Sequence, residues 1–291
     1  MIYLPELYPF QIQGLVEAAL REDLGGAGDV TTSAIVPRNC RALGEILVRR
    51  DGRIAGTTVA AAVFRALSSE FQIEHLVRDG EDAGAGQIIM RLVGPARELL
   101  SGERVALNFL GRMSGIATAA RTVVQQISAT SAKVVCTRKT TPGLRVLEKY
   151  AVRAGGAASH RFGLDDGILI KDNHRALAGG VSEAVRRARL QAGHMQKIEV
   201  EVEDFHQLLE ALDAGVDAVL LDNMSLEQLR ESVEFVDRRL LTEASGGISP
   251  EKALQVASTG VDLLSMGWLT HSAPSLDVSL EVKVHSGVRA R

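Results

Sequence analysis

The second half of the chain repeats a strand followed by a helix, and this rhythm limits the possible folds more than any other feature. Predicted strands begin near residues 197, 217, 241 and 261, so successive strands start about 20 to 24 residues apart. Asp204, Ser225 and Ser249-Pro250 stand where helices should begin, and Ser225 predicts a helix over 226–240. With earlier strands predicted at 134–137 and 168–171, we expect about six strands in a (β/α) barrel.

The first hundred residues lack this rhythm. Predicted helices at 11–21 and 58–68 alternate with short strands, and Asp51-Gly52 predicts a hairpin turn between strands at 42–50 and 53–56. A long helix predicted over 102–128 joins the two halves. We therefore predict an α+β domain over residues 1–108, a barrel domain over 109–275, and a C-terminal tail, 276–291, that returns to the first domain.

The composition suits a parallel-sheet protein and excludes several other classes. Aromatic residues make up only 4% of a chain that is 46% hydrophobic, so the core should be aliphatic. Two cysteines, Cys40 and Cys136, are too few for a disulfide framework or a zinc site. No apolar run is long enough to cross a membrane, and the first residues lack a secretory signal pattern. These features predict a cytoplasmic protein without a membrane partner.

Positive charge is concentrated between residues 136 and 175. This stretch holds eight basic and four acidic side chains in a chain whose net charge is −3. A local cationic patch in a mildly acidic protein predicts a small polyanionic ligand, because a nucleic-acid-binding protein usually carries a broader basic surface.

Residues that directly follow barrel strands converge at one mouth, where such barrels place their active sites. Two of the predicted strand ends carry glycine turns, at 245–247 and at 267. Glycine lets backbone N–H groups approach a phosphate, so paired turns after the last two strands predict a phosphate site. The other strand ends carry charged side chains: Arg138, Lys139, Lys171, Glu201 and Asp222.

The two carboxylates at these strand ends leave several roles open. Glu201 and Asp222 could bind Mg²⁺, contact sugar hydroxyls, stabilise a developing cation, or form structural ion pairs with the lysines. Glu199 and Glu203 share the parity of Glu201, and only its place at the strand end favours Glu201.

The lysines also permit a Schiff-base mechanism, because barrel lysines can act as nucleophiles. The surrounding cations favour anion binding instead. His160 and His174 could be core histidines, but the neighbouring Arg161 and Lys171 favour anion contacts. Cys136 has no adjacent histidine and is interpreted as a packing residue.

Several separate motifs resemble the quinolinate phosphoribosyltransferase family, also called nicotinate-nucleotide pyrophosphorylase (carboxylating). The resemblance extends in order over nearly the whole chain. Its main motifs are Glu22-Asp23-Leu24-Gly25, Thr137-Arg138-Lys139-Thr140-Thr141-Pro142-Gly143, His160-Arg161-Phe162-Gly163-Leu164, Leu169-Ile170-Lys171-Asp172-Asn173-His174, Glu243-Ala244-Ser245-Gly246-Gly247 and Leu269-Thr270-His271-Ser272.

The resemblance implies an α/β protein with an N-terminal α/β sandwich and the incomplete barrel of a type II phosphoribosyltransferase. It implies transfer of phosphoribose from phosphoribosyl diphosphate to quinolinate with decarboxylation, a step of NAD biosynthesis. Mg²⁺ would accompany the diphosphate donor, and no organic cofactor is expected. A homodimer or higher homo-oligomer would share its active sites between subunits, with no nucleic acid as a partner.

The resemblance also implies roles for individual residues. Lys139, Lys171, Glu201 and Asp222 would be catalytic, and the two carboxylates would face the ribose and Mg²⁺, directly or through water. Arg104 would reach the site of the partner subunit. The other substrate-binding residues would be Thr137, Arg138, His160, Arg161, Lys171, Ser245, Gly246, Gly247, Ser265, Gly267 and His271.

The chain departs from many members of this family at Cys136, where Asp is common, at Ala157 and Ser159, and at Trp268. The runner-up is a related pyrophosphorylase-like protein associated with molybdenum transport, but Thr140-Thr141 and the 171–174 motif favour the quinolinate enzyme. A Schiff-base lyase is a third hypothesis. A non-catalytic anion-binding barrel is a fourth, and the carboxylates at 201 and 222 argue against it.

Overall fold

The structure, a computed structural model, describes residues 4–284 and divides them into two compact units. The first unit holds the described residues up to Arg121, then Thr141–Gly156, and those from Ala273 onward. The second holds Thr122–Thr140 and Ala157–Ser272. The domain boundary predicted after residue 108 stays a prediction, since these units reflect spatial compactness alone.

The first unit is built on an antiparallel sheet. Its strands are β1 (Arg41–Val48), β2 (Gly52–Arg53), β3 (Gln72–His75), β4 (Asp82–Ala83), β5 (Ile88–Pro95) and, at the end of the chain, β12 (Val278–Val284). Four of them form a sheet in the order β12-β1-β5-β3, and β2 pairs with β4. The helices are α1 (Pro9–Leu24), α2 (Val30–Ile35), α3 (Thr57–Leu67), α4 (Ala96–Gln126), whose last turn enters the second unit, and α5 (Arg145–Ala154).

The hairpin predicted at Asp51-Gly52 is wrong, because β1 and β2 lie in different sheets. Both edges of β1 are already occupied, one by β5 and the other by β12. Arg53 is buried and forms an ion pair with Asp82 of β4, which holds β2 away from β1. The tail therefore pairs with the first unit over Val278–Val284, and residues 285–291 lie outside the described residues.

The second unit is the parallel α/β unit that the rhythm predicts. Its strands are β6 (Lys133–Val135), β7 (Ile168–Ile170), β8 (Ile198–Val202), β9 (Ala218–Asp222), β10 (Leu241–Ser245) and β11 (Leu263–Ser265). Its helices are α6 (Asp172–Ala178), α7 (Val181–Gln191), α8 (Phe205–Asp213), α9 (Leu226–Val236), α10 (Pro250–Ala257) and α11 (Trp268–His271).

All six strands are parallel and lie in the order β6-β11-β10-β9-β8-β7. The end strands β6 and β7 do not pair with each other within residues 4–284; instead, Val135 forms a bridge with Ala158. This confirms the predicted α/β class with six parallel strands, and the unpaired ends fit an incomplete barrel. Among the helices that the structure describes, none has both the length and the apolarity needed to span a bilayer.

The strand register explains how charged residues come together in this sheet. Glu201 pairs with Leu220, Leu220 with Glu243, and Asp222 with Ser245, so these residues point to one face. Both Glu201 and Glu243 are buried. Buried carboxylates need charged or hydrogen-bonding partners, and their partners define the candidate site.

Candidate active site

The ends of β7 and β8 bring two of the predicted catalytic residues into contact. Lys171 Nζ lies 2.6 Å from Glu201 Oε2, with the lysine side chain 47% exposed and the glutamate side chain 9% exposed. The backbone N–H of Lys171 donates to His174 Nδ1 at 2.9 Å, which fixes the first turn of α6. The Lys171–Glu201 ion pair, one of the roles that the sequence left open, is therefore present. Its ammonium group is in contact with solvent, and its carboxylate is buried.

Asp222 is held by its neighbour Asn223. The Asn223 side-chain Nδ2 donates to Asp222 Oδ2 at 2.6 Å, and its backbone N–H donates to the Ser245 carbonyl at 3.0 Å. Asn223 adopts a φ of 55°, a left-handed conformation that Asn tolerates better than most residues. The turn after β9 is thus tied to the turn after β10.

Gly246 makes that connection possible. A Cβ atom at this position would lie 2.2 Å from Asn223 Oδ1, and its φ of 102° is also unfavourable for other residues. Gly247 has a φ of 57° but open space around it. Close packing against Asn223 therefore explains why residue 246 is a glycine. Phosphate binding at this turn stays a prediction.

Lys139 lies against the second glycine turn. The Thr270 hydroxyl donates to the Lys139 carbonyl at 2.7 Å, and the Lys139 N–H donates to the Thr137 hydroxyl at 3.0 Å. A Cβ atom on Gly267 would lie 2.9 Å from Lys139 Cδ and 3.2 Å from His271 Cδ2. Four predicted site residues, Thr137, Lys139, Gly267 and His271, are therefore gathered here.

Two arginines, Arg138 after β6 and Arg161 before β7, form an electropositive group. Arg161 Nη1 donates to the Gly167 carbonyl at 2.9 Å. Burial lowers the pKa of the Arg161 guanidinium, and the positive charge of Arg138 lowers it further. Among the described residues, the buried Nε atom of Arg138 has no hydrogen-bond partner. Two guanidinium groups that repel each other make a site that an anion would stabilise.

A buried cluster of His160, Glu199 and Glu243 was missed by sequence reasoning. His160 Nε2 lies 3.1 Å from Glu199 Oε2 and 3.6 Å from Glu243 Oε1. Burial raises the pKa of the Glu243 carboxyl to about 7, and the nearby charge of Glu199 acts in the same direction. The available signal was a glutamate in the middle of the predicted strand 241–245. The parity shared by Glu199 and Glu201 was noted but did not reveal a partner.

The remaining predicted residues are placed as follows. Arg104 is exposed on α4 in the first unit. Ser245 ends β10, and the Ser265 hydroxyl donates to the Ala244 carbonyl at 3.3 Å. Cys136 is fully buried beside β6, as expected of a packing residue.

Comparison with known proteins places the chain in a family. The chain matches the family models for the quinolinate phosphoribosyl transferase N-terminal domain over residues 29–114 and C-terminal domain over residues 116–281.

Individual proteins are similar over nearly the whole chain. A probable nicotinate-nucleotide pyrophosphorylase [carboxylating] of Bacillus subtilis is 45% identical over 273 residues, which cover 94% of this chain and 93% of that protein. A nicotinate-nucleotide pyrophosphorylase [carboxylating] of Mycobacterium leprae is 42% identical, with 92% and 95% covered. The crystal structure of NadC from Streptococcus pyogenes has a TM-score of 0.93 and 40% identity, covering 97% of this chain and 100% of that one. On these matches, the chain belongs to the quinolinate phosphoribosyltransferase family.

Proposed function

We propose that this chain transfers phosphoribose from phosphoribosyl diphosphate to quinolinate and releases diphosphate and CO₂, giving nicotinate mononucleotide for NAD biosynthesis. One observation carries the proposal most directly. Glu201 and Asp222 occupy the ends of adjacent parallel strands on one face, and Glu201 is paired with Lys171. An anion-binding protein needs the cations, whereas two carboxylates on the same face suit a reaction in which positive charge develops on the ligand.

The cations suit both substrates. Quinolinate carries two adjacent carboxylates, and phosphoribosyl diphosphate is a polyanion. Arg138 and Arg161 can each offer a planar set of donors to a carboxylate, whereas Lys139 and Lys171 can act as point charges. We assign the glycine turns at 245–247 and 267, with His271, to the 5-phosphate. The mutual repulsion of the two guanidinium groups would be relieved by a bound carboxylate.

The transfer step separates charge at the anomeric carbon. The bond between this carbon and the diphosphate oxygen breaks with its electron pair leaving on oxygen, and positive charge develops on the ribose. Glu201 and Asp222 would stabilise that charge electrostatically. The pyridine nitrogen then supplies the electron pair of the new bond to carbon.

Decarboxylation follows from the product of that step. The quaternised ring accepts the electron pair of the breaking carbon–carboxylate bond, so CO₂ leaves and the ring carbon takes up a proton. The ring itself is the electron sink, and the proposal therefore needs no organic cofactor. Charge pairing with the cations would hold the carboxylate in place until the ring nitrogen has reacted.

Mg²⁺ is part of the proposal as the companion of the diphosphate donor. The donor set fits this ion, because Glu201 and Asp222 offer carboxylate oxygens and Mg²⁺ is usually held by one or two carboxylates together with substrate phosphates. When bound, the ion would neutralise charge on the departing diphosphate. Glu201 and Asp222 would hold the ion, directly or through water, while Lys171 binds Glu201 Oε2 and Asn223 binds Asp222 Oδ2.

We also propose a homodimer or larger assembly with shared active sites, in a cytoplasmic setting. The position of Arg104 supports this, since an exposed arginine on α4 could contribute to another subunit's site. Mixing an Arg104→Ala protein with an inactive Lys139→Ala protein tests the idea. Activity recovered in mixed oligomers would support shared sites, and no recovery after subunit exchange would contradict them.

A direct assay tests the proposed reaction. Purified full-length protein is supplied with Mg²⁺, quinolinate and phosphoribosyl diphosphate, while CO₂ and nicotinate mononucleotide are measured. Lys139→Ala and Glu201→Ala should lower kcat/KM at least about 100-fold. Lys133→Ala and Glu231→Ala are matched controls, since both side chains are exposed, at the start of β6 and on α9. Absence of both products from the wild-type protein would refute the proposed reaction.

A further inference from the structure

The buried cluster of His160, Glu199 and Glu243 has no part in the chemistry described above. The side chains of these residues are 14%, 13% and 2% exposed, respectively. Burying two carboxyl groups together is unfavourable unless each has a partner, so a role for the cluster has to account for that cost.

The hydrogen bonds of His160 define the state of its ring. Its Nδ1 accepts the backbone N–H of Arg161 at 2.7 Å, so Nδ1 carries no proton. The proton of the neutral ring is therefore on Nε2, which faces Glu199 Oε2 at 3.1 Å. The imidazole thus links a buried carboxylate on β8 to the backbone of Arg161.

The cluster also distinguishes its two carboxyl groups. Glu199 accepts from His160 and is close enough for its charge to favour the cationic form of Arg161. Glu243 is the more deeply buried, and its Oε1 atom has no hydrogen-bond partner among the described residues. The strands on either side of Glu243 present Leu220 and Leu263 at the paired positions. Glu199 is therefore the better site for the negative charge of the cluster, and Glu243 lies on its most buried side.

The series of contacts continues from the His160 ring to Arg161. Arg161 is anchored at its backbone by His160 and at Nη1 by the Gly167 carbonyl. An arginine fixed at two points loses less side-chain freedom when it binds an anion, which favours affinity. We propose that Glu199 and Glu243 are positioning residues that hold the His160 ring and, through it, orient Arg161 to bind a carboxylate of the pyridine substrate; this inference rests on the function proposed above.

A metal ion is the competing use of the same groups, because their ligand atoms lie within 4.8 Å of one another. Two facts oppose it. The Arg161 charge lies close enough to interact with Glu199 and would repel a cation. The Nε2 proton is also already directed at a carboxylate. The hydrogen-bonded arrangement is therefore the one we assign.

A double-mutant cycle tests the proposal by measuring quinolinate binding calorimetrically, so that the result does not depend on turnover. Glu199→Ala should weaken quinolinate binding about tenfold or more, because the His160 ring that anchors the Arg161 backbone loses its carboxylate partner. Glu199→Gln keeps an acceptor oxygen for His160 and should recover most of the affinity. In an Arg161→Ala background, Glu199→Ala should cause little further loss, because both changes remove the same contribution. Glu231→Ala serves as the matched glutamate control.

The outcomes separate this inference from the proposed reaction. Wild-type affinity in Glu199→Ala, or losses that simply add to those of Arg161→Ala, would overturn the positioning role even if the wild-type protein forms product. Absence of product from the wild-type protein would instead refute the reaction. Where Glu199→Ala does not fold, His160→Phe keeps a ring but removes both nitrogens, and it should give the same non-additive loss.

Discussion

The Lys171 ammonium lies 2.6 Å from Glu201 Oε2 at the ends of two neighbouring parallel strands. The pair gives Glu201 a partner that compensates its burial, while the exposed lysine remains available to a ligand. The two residues therefore have separable contributions. The charge of Glu201 would serve the developing ribosyl cation, and the charge of Lys171 would serve the anions.

Glu201→Gln should separate these contributions. The amide oxygen can still accept from Lys171, so we expect the unfolding midpoint to change little. Loss of the negative charge should lower kcat about 100-fold or more, with a smaller change in quinolinate KM. Steady-state kinetics and thermal melts on the same preparations provide the comparison, with Glu231→Gln as the control. A variant that loses affinity but keeps kcat would assign Glu201 to binding.

Glu243 should make stability depend on pH near neutrality. Burial raises the pKa of its carboxyl from 4.5 to about 7. Between these values the folded protein binds a proton that the unfolded chain has released, so this stabilising contribution is complete below about pH 4.5 and is lost as pH rises to about 7.

Glu243→Gln removes this titration and keeps the side-chain shape. The unfolding free energy of the variant relative to wild type should rise between pH 5 and pH 8 by on the order of 3 kcal/mol, and change little above that. Urea unfolding at several pH values measures the difference, with Glu231→Gln giving the baseline. A difference in unfolding free energy between Glu243→Gln and wild type that does not change with pH would show that Glu243 is ionised throughout this range.

The parts of this protein that depend on local sequence were predictable. Asp204 and Ser225 cap helices as expected, each accepting the N–H of the residue three positions later. Helix α9 ends at Val236, before the predicted residue 240, because Asp237 and Arg238 adopt left-handed backbone conformations. Charge next to buried strands also suggested an ion pair between the carboxylates and one of the two lysines, and the structure shows it between Lys171 and Glu201.

The exact pairing of distant strands was less predictable. One of the two partners of β1 is β12, more than 200 residues away, so the local turn signal at Asp51-Gly52 could not reveal the pairing, although the return of the tail to the first domain was predicted. The contact of Glu243 with His160 depends on strand order in the sheet and on the bridge between Val135 and Ala158. Neither feature leaves a periodic signal in the sequence.

Gly246→Ala should be the more damaging of two adjacent glycine substitutions. The added Cβ would collide with Asn223 Oδ1 at 2.2 Å, and relief of the collision would displace the residue that holds Asp222. We expect a loss of about 2 to 4 kcal/mol in stability together with a large fall in kcat. Gly247→Ala is the matched control, since its Cβ would meet open space and only the left-handed backbone is penalised, at about 1 kcal/mol. Equal losses of stability in thermal melts would contradict the steric explanation. The fall in kcat is judged for Gly246→Ala against wild type, because Gly247 belongs to the turn assigned to the 5-phosphate.

Glu148 should be important for stability in the first unit. It is 1% exposed, accepts from Arg112 at 2.7 and 3.1 Å, and also accepts from the Thr141 backbone and hydroxyl at 3.0 and 2.8 Å. Glu148→Ala leaves a mostly buried guanidinium without this carboxylate, and we expect a loss of about 3 to 5 kcal/mol in unfolding free energy.

Replacing both Arg112 and Glu148 tests the cause of that loss. The cause is either the loss of the ion pair itself or the Arg112 charge that is left without its carboxylate. The double variant Arg112→Met, Glu148→Met should be more stable than Glu148→Ala, because no buried charge remains unpaired. Glu183→Ala is the surface control, since Glu183 pairs with Arg186 and Arg187 in contact with solvent and its loss should shift the midpoint little. Denaturant unfolding of the three variants and wild type decides the matter. A double variant as unstable as Glu148→Ala would mean that Glu148 acts chiefly by tying down Thr141.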